Sequence, residues 1–107
     1  MTAEEFKEIS NAFNGRENGY LNNGLENRDN YYMKRVYLGC VRSIDLLTSL
    51  PEWDGKNVIV QGGSQGGALA LITTGLDPRV TACVANHPAL SDMAGYKAGR
   101  AGGYPHF

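Results

Sequence analysis

Between residues 31 and 50, apolar side chains recur at Met33, Val36, Tyr37, Cys40, Val41, Ile44 and Leu47, while Lys34, Arg35, Arg42 and Asp45 fall between them. Steps of three, one and three place the apolar set on one side of an α-helix. Asp29 or Asn30 is the expected cap at its start, and Pro51 ends it, because proline disfavours helical geometry in the preceding residue. After the turn Glu52-Trp53-Asp54-Gly55, the run Asn57-Val58-Ile59-Val60-Gln61 is short, β-branched and without alternation, which predicts a strand buried on both faces. Residues 68–74 have the length and composition of a helix closed by Gly75 and the Asp77-Pro78 pair, and residues 80–85 predict a second buried strand. Helix, strand, helix, strand is the rhythm of a parallel α/β sheet.

The flanks read differently. Residues 11–30 hold seven asparagines together with Gly15, Gly19 and Gly24, a composition that favours loop over helix or strand. The expected organisation is an Asn/Gly-rich loop region at 1–29, a core at 30–92 and a Gly-rich tail at 93–107. Two parallel strands buried on both faces need further strands and helices around them. The expectation is therefore a partial α/β domain, a piece of a larger sheet.

Charge adds only exclusions. Ten basic against eleven acidic side chains give a net charge of −1 over 107 residues, so neither nucleic acid nor an anionic membrane is an expected partner. Residues 1–10 have neither the basic start nor the apolar run of a secretory signal, and no stretch approaches a membrane span, so a cytoplasmic product is expected. Cys40 and Cys83 lack any CxxC spacing, which points to reduced core thiols and to neither zinc nor a disulfide framework. Glycine stands out, at 14 residues, about twice the usual share of ~7%.

The densest glycine cluster, Gly62-Gly63-Ser64-Gln65-Gly66-Gly67, lies between the first strand and the following helix. A phosphate-binding P-loop needs a Gly-Lys-Ser/Thr step and a dinucleotide fingerprint needs glycines at i, i+2 and i+5; neither is present. Gly62-x-Ser64-x-Gly66 between strand and helix is instead the pattern of a nucleophile elbow, in which a serine occupies a strained turn and projects clear of the sheet. The residues two before and two after it approach closely, which accounts for Gly62 and Gly66 as small residues. A helix starting at Gln65 offers its unpaired first amides and positive end, so the Gln65 N–H is one half of an expected oxyanion hole. Gly67, Ala68 and Ala70 let that helix lie close to the strand.

Partners for the serine are harder to place. In this fold the order is serine, acid, histidine, the last two on loops after later strands. His87 sits just after the second strand, at the end where α/β sheets bind ligands, so it is a possible pocket residue; the simpler reading is a loop histidine with no catalytic role, since it precedes any candidate acid. Asp92 reads as a solvated or capping aspartate sooner than as the triad acid, and His106 has no strand to place it. Trp53, Tyr31 and Tyr32 read as packing or surface aromatics.

These residues resemble the acetyl xylan esterase and cephalosporin-C deacetylase group, the seventh carbohydrate esterase family. The similarity runs from about Gly19 to Asp92. It is carried by Gly24-Leu25-Glu26, Tyr31-Tyr32-Met33-Lys34-Arg35-Val36-Tyr37, Cys40-Val41-Arg42, the Leu50-Pro51-Glu52-Trp53-Asp54 turn and Ser64-Gln65-Gly66-Gly67-Ala68-Leu69-Ala70. The resemblance implies an α/β-hydrolase fold, Ser64 as nucleophile, Gln65 as an oxyanion donor, and hydrolysis of acetyl esters on xylo-oligosaccharides without metal or cofactor. It also implies a complete domain roughly three times longer, with the second oxyanion donor, the acid and the histidine outside this stretch, and homo-oligomeric full-length proteins. On that basis the chain alone is expected to be inactive. Two alternatives remain at this stage. One is a prolyl-oligopeptidase-like serine peptidase, which commonly has tyrosine where this chain has Gln65. The other is a non-catalytic remnant.

Overall fold

The computed structural model describes residues 1–12 and 19–106. Asn14, Gly15 and Asn18 of the Asn/Gly-rich run, and Phe107, lie outside the described residues. The chain divides into two compact units, residues 1–36 and 37–107.

In the first unit, helix α1 (Ala3–Ala12) occupies part of the stretch expected as loop. Its start carries a reciprocal cap: the Thr2 amide donates to the Glu5 carboxylate at 2.6 Å and the Glu5 amide donates to the Thr2 hydroxyl at 3.2 Å. That Thr-x-x-Glu pattern was visible in the sequence and outweighs the polar composition. A single 3₁₀ turn at Tyr20–Asn22 follows. Gly24 then turns the chain at φ 72°, with Asn30 so close that a Cβ would lie 2.2 Å from its carbonyl oxygen, so only glycine fits.

Helix α2 (Tyr32–Ser49) begins in that unit and continues into the second. The expected apolar stripe is its buried side, with Met33 fully enclosed, Ile44 buried and Val36, Tyr37, Cys40 and Val41 half-buried; Leu47 is exposed. The expected cap is not used. The Tyr32 amide donates to the Asn23 carbonyl at 2.9 Å, and the Asp29 carboxylate is taken by the Lys34 ammonium at 2.7 Å. Gly24 folds the loop back so that Asn23, nine residues earlier, reaches the helix start first.

The second unit contains strand β1 (Ile59–Gly63), helix α3 (Gln65–Leu76) and strand β2 (Ala82–Asn86). The strands pair in parallel, Ile59 opposite Ala82 and Gly63 opposite Asn86, and α3 packs across both. The turn into β1 is built around Asp54, whose carboxylate accepts from the Lys56 and Asn57 amides at 2.8 and 2.7 Å. Those donors, Asn57 foremost, hold the Asp54 carboxyl below the usual carboxylate range. A latch closes the start of the sheet: the Thr81 hydroxyl accepts from the buried Val58 amide at 3.0 Å and donates to the Val58 carbonyl at 2.9 Å.

Three expectations are corrected here. Among the described residues the strands are covered on one face only. Ile59 and Val84 on the other are 65% and 48% exposed, because α3 shields just the side carrying Val60, Gly62, Cys83 and Ala85. Nor does Gly75 close α3; it lies inside the helix, which ends at Asp77, extended at φ −124° and ψ 109° as a residue before proline must be. Asp77 is then fixed by Arg79, whose guanidinium also bonds Asp45 at 2.6 Å and Thr48 at 3.2 Å on α2. The Arg79 hydrogen bonds depress the carboxyls of Asp77 and Asp45, and Asp77 followed by Asp45 raises the guanidinium's own affinity for its proton. Cys40 and Cys83 are free thiols, half-buried in place of the expected core positions.

Candidate active site

Ser64 stands alone between the end of β1 and the first residue of α3, with φ 52° and ψ −119°. For a residue with a Cβ this backbone costs about 1–3 kcal/mol, so something around it must hold it there. Its side chain is exposed and does not cap the helix it precedes, which leaves the hydroxyl pointing out of the elbow's own hydrogen bonding. Gln65, half-buried, is the first helical residue, so its amide lies in the first turn of α3, at the positive end of the dipole.

The steric logic of the elbow is asymmetric. A Cβ on Gly62 would lie 2.2 Å from the Gly66 carbonyl oxygen and 2.3 Å from its carbon, so the turn closes only with glycine at 62. Outside its own helical turn, a Cβ on Gly66 would meet no atom of the described residues within 4 Å. The expectation that both motif glycines are required as small residues is therefore corrected: Gly66 contributes its backbone to the close approach and has room for a side chain. The second tight position is Gly67, where a Cβ would sit 3.0 Å from the Asn86 carbonyl oxygen and 3.2 Å from the Pro88 Cα. The glycine doublet at 66–67 was the available signal for it.

Backbone bonds from the last residue of β2 and from the loop after it hold Ser64 on both sides. Its amide donates to the Asn86 carbonyl at 2.9 Å, and its carbonyl accepts from the Ala89 amide at 3.0 Å. His87 lies between those two contacts, exposed, with φ 46°. The structure thus brings Ser64, Gln65, Gly62, Gly66 and the His87 backbone to one end of the sheet. It does not bring Asp92 or His106 to the serine hydroxyl by any hydrogen bond. The Asp92 carboxylate is gripped by Arg100 at 2.7 and 3.1 Å, and the His106 ring stacks on Tyr96 with centroids 4.6 Å apart. Trp53 donates its indole N–H to the Asn57 carbonyl at 2.8 Å, Tyr32 packs against Tyr20 at 5.5 Å, and burial pushes the Tyr31 hydroxyl's pKa up. Among the described residues no group of three or more histidine, cysteine or acidic side chains is placed to hold a metal ion, and no helix is long and apolar enough to cross a membrane.

A parallel strand–turn–helix–strand unit with a serine in a strained left-handed turn is the elbow architecture of α/β-hydrolases. Within that class the chain belongs to the acetyl xylan esterase family: the family's AXE1 sequence model matches residues 3–97. It is 78% identical over all of its 107 residues to the acetyl esterase Axe7A of Xylanibacter ruminicola, of which it spans 24%. Among solved structures it is similar to the acetyl xylan esterase from Paenibacillus sp. R4, with a TM-score of 0.73 and 37% identity over 80% of this chain and 27% of that one. The chain therefore spans about a quarter of the length of the curated relative it matches.

Proposed function

We propose that this chain supplies the nucleophile of an acetyl esterase acting on acetylated xylo-oligosaccharides. The observation that carries the reading is the Ser64 backbone, φ 52° and ψ −119°, at the junction of β1 and α3, within a chain of the acetyl xylan esterase family. In the proposed reaction the Ser64 oxygen bonds to the acetyl carbonyl carbon while a general base takes its proton. The tetrahedral oxyanion is stabilised by the Gln65 amide, and the sugar alcohol leaves with the proton returned to it. Water then attacks the acetyl-serine, releasing acetate and restoring the hydroxyl.

Neither histidine of this chain is assigned as the base. His106 is stacked on Tyr96, and His87 comes before any acid, against the serine–acid–histidine order of the fold. The 107-residue chain assayed alone is accordingly expected to turn over p-nitrophenyl acetate negligibly. The decisive test replaces the matched quarter of Axe7A with this chain. The chimera should hydrolyse p-nitrophenyl acetate and acetylated xylo-oligosaccharides, and Ser64→Ala should lower kcat by about 10⁴-fold or more. Retained turnover in the mutant chimera would remove Ser64 from the chemistry.

A further inference from the structure

We propose that Tyr104 is a positioning residue for the Ser64 elbow, acting through the loop that carries His87; the catalytic consequence rests on Ser64 being the nucleophile. The end of β2 and the loop after it each touch the serine, through the Asn86 carbonyl and the Ala89 amide. Yet that loop is itself poorly determined by local preference: His87, Leu90 and Asp92 all adopt positive φ, 46°, 63° and 47°. Non-glycine residues hold such conformations only where neighbouring structure over-determines them.

The segment 100–104 is that neighbouring structure. The Leu90 amide donates to the Tyr104 carbonyl at 2.8 Å, the Gly103 amide donates to the Asp92 carbonyl at 3.1 Å, and Arg100 grips the Asp92 carboxylate with two bonds. The fit is close enough that a Cβ on Gly103 would overlap the Ser91 carbonyl oxygen at 1.6 Å. From this strap the Tyr104 hydroxyl reaches back and donates to the His87 carbonyl, the peptide group lying between the two contacts on Ser64. The order of support runs from Tyr104 to His87, then to Asn86 and Ala89, then to both peptide groups of Ser64. Side-chain chemistry enters this relay at Tyr104; the links closer to the serine are backbone.

The test is amide hydrogen exchange on the 107-residue chain, comparing Tyr104→Phe with the parent. Removing one hydroxyl should speed exchange at Ala89 and Ser64 by roughly five- to tenfold. The Thr81 amide, bonded to the Val58 carbonyl at the far end of the sheet, should keep its rate. Arg100→Gln, which loosens the same strap at Asp92, should give the same order of effects at lower amplitude. In the Axe7A chimera, Tyr104→Phe should lower kcat with KM unchanged. Unchanged exchange at Ala89 and Ser64, or acceleration shared equally with Thr81, overturns the proposal. A Ser64→Ala chimera that stays active overturns the catalytic reading alone, because the exchange result does not depend on turnover.

Discussion

Replacing Gly62 and Gly66 separately by alanine separates a steric account of the elbow from its sequence motif. At 62 the new Cβ would sit 2.2 Å from the Gly66 carbonyl oxygen, where ordinary contact begins at 3.4 Å, so the two must move apart by 3.4 − 2.2 = 1.2 Å. Both sides are backbone, with no rotamer to absorb the strain. Overpacking of that kind costs about 1–3 kcal/mol, and each kcal/mol lowers the melting temperature of a domain this size by about 4–8 °C. At 66 the Cβ enters open space on a helix, where alanine gains up to about 1 kcal/mol over glycine. Gly67→Ala falls between them, since its nearest contacts are 3.0–3.2 Å and yield by a few tenths of an ångström.

Thermal melting followed by circular dichroism should rank the variants Gly62→Ala lowest, then Gly67→Ala, with Gly66→Ala at or above the parent. In the chimera, a displacement of ~1 Å at Ser64 costs on the order of 10²-fold in rate, so Gly62→Ala should lose activity while Gly66→Ala retains most of it. Equal damage from the two alanines, or a Gly62→Ala protein melting within about 2 °C of the parent, would refute the argument from close approach.

Other substitutions address separate parts of the structure. Thr81→Val removes the hydroxyl that satisfies the buried Val58 amide and should cost about 1–3 kcal/mol in urea unfolding. Gly24→Ala places a Cβ 2.2 Å from the Asn30 carbonyl at a positive φ, and should lower the melting temperature while leaving the exchange rates around Ser64 in place. Arg79 holds the Asp77 and Asp45 carboxyls below their ordinary value of 3.8. The unfolded chain therefore takes up protons at higher pH than the folded one, and the stability these groups supply is present above about pH 4–5 and lost as pH falls. Melting curves from pH 6 to 3 should show that acid loss, and Asp77→Asn should flatten it; an unaltered slope would discount the Arg79 network.

The elements that dominate this fold were legible because their signals are periodic or steric. The α2 stripe from Met33 to Ile44 repeats over three turns, and the βαβ unit announces itself through two β-branched runs separated by a helix of small residues. Structure departs from local sequence preference where non-local contacts compete with local ones. Asn23 displaced Asp29 and Asn30 at the start of α2 because the Gly24 turn brings its carbonyl closer. Gly75 and the Asp77-Pro78 pair share the expected close of α3; a helix tolerates the glycine, and the extended residue before Pro78 is what ends it. Around the candidate site, Ser64 and Gln65 follow from a motif with a mechanical meaning. The Asn86 and Ala89 contacts carry no side-chain signature, since backbone atoms make them, and the Tyr104 link spans seventeen positions from His87.

The bare side of the two-stranded sheet also governs how the molecule behaves in a tube. Among the described residues each strand has an unpaired edge, and Ile59 and Val84 give the flank beside it a greasy, β-branched character. A net charge of −1 offers almost no repulsion between copies. Concentrated stocks should thus drift toward strand-to-strand association, and a lysine at position 59 is the simplest way to keep them monodisperse while leaving the serine's end of the sheet untouched.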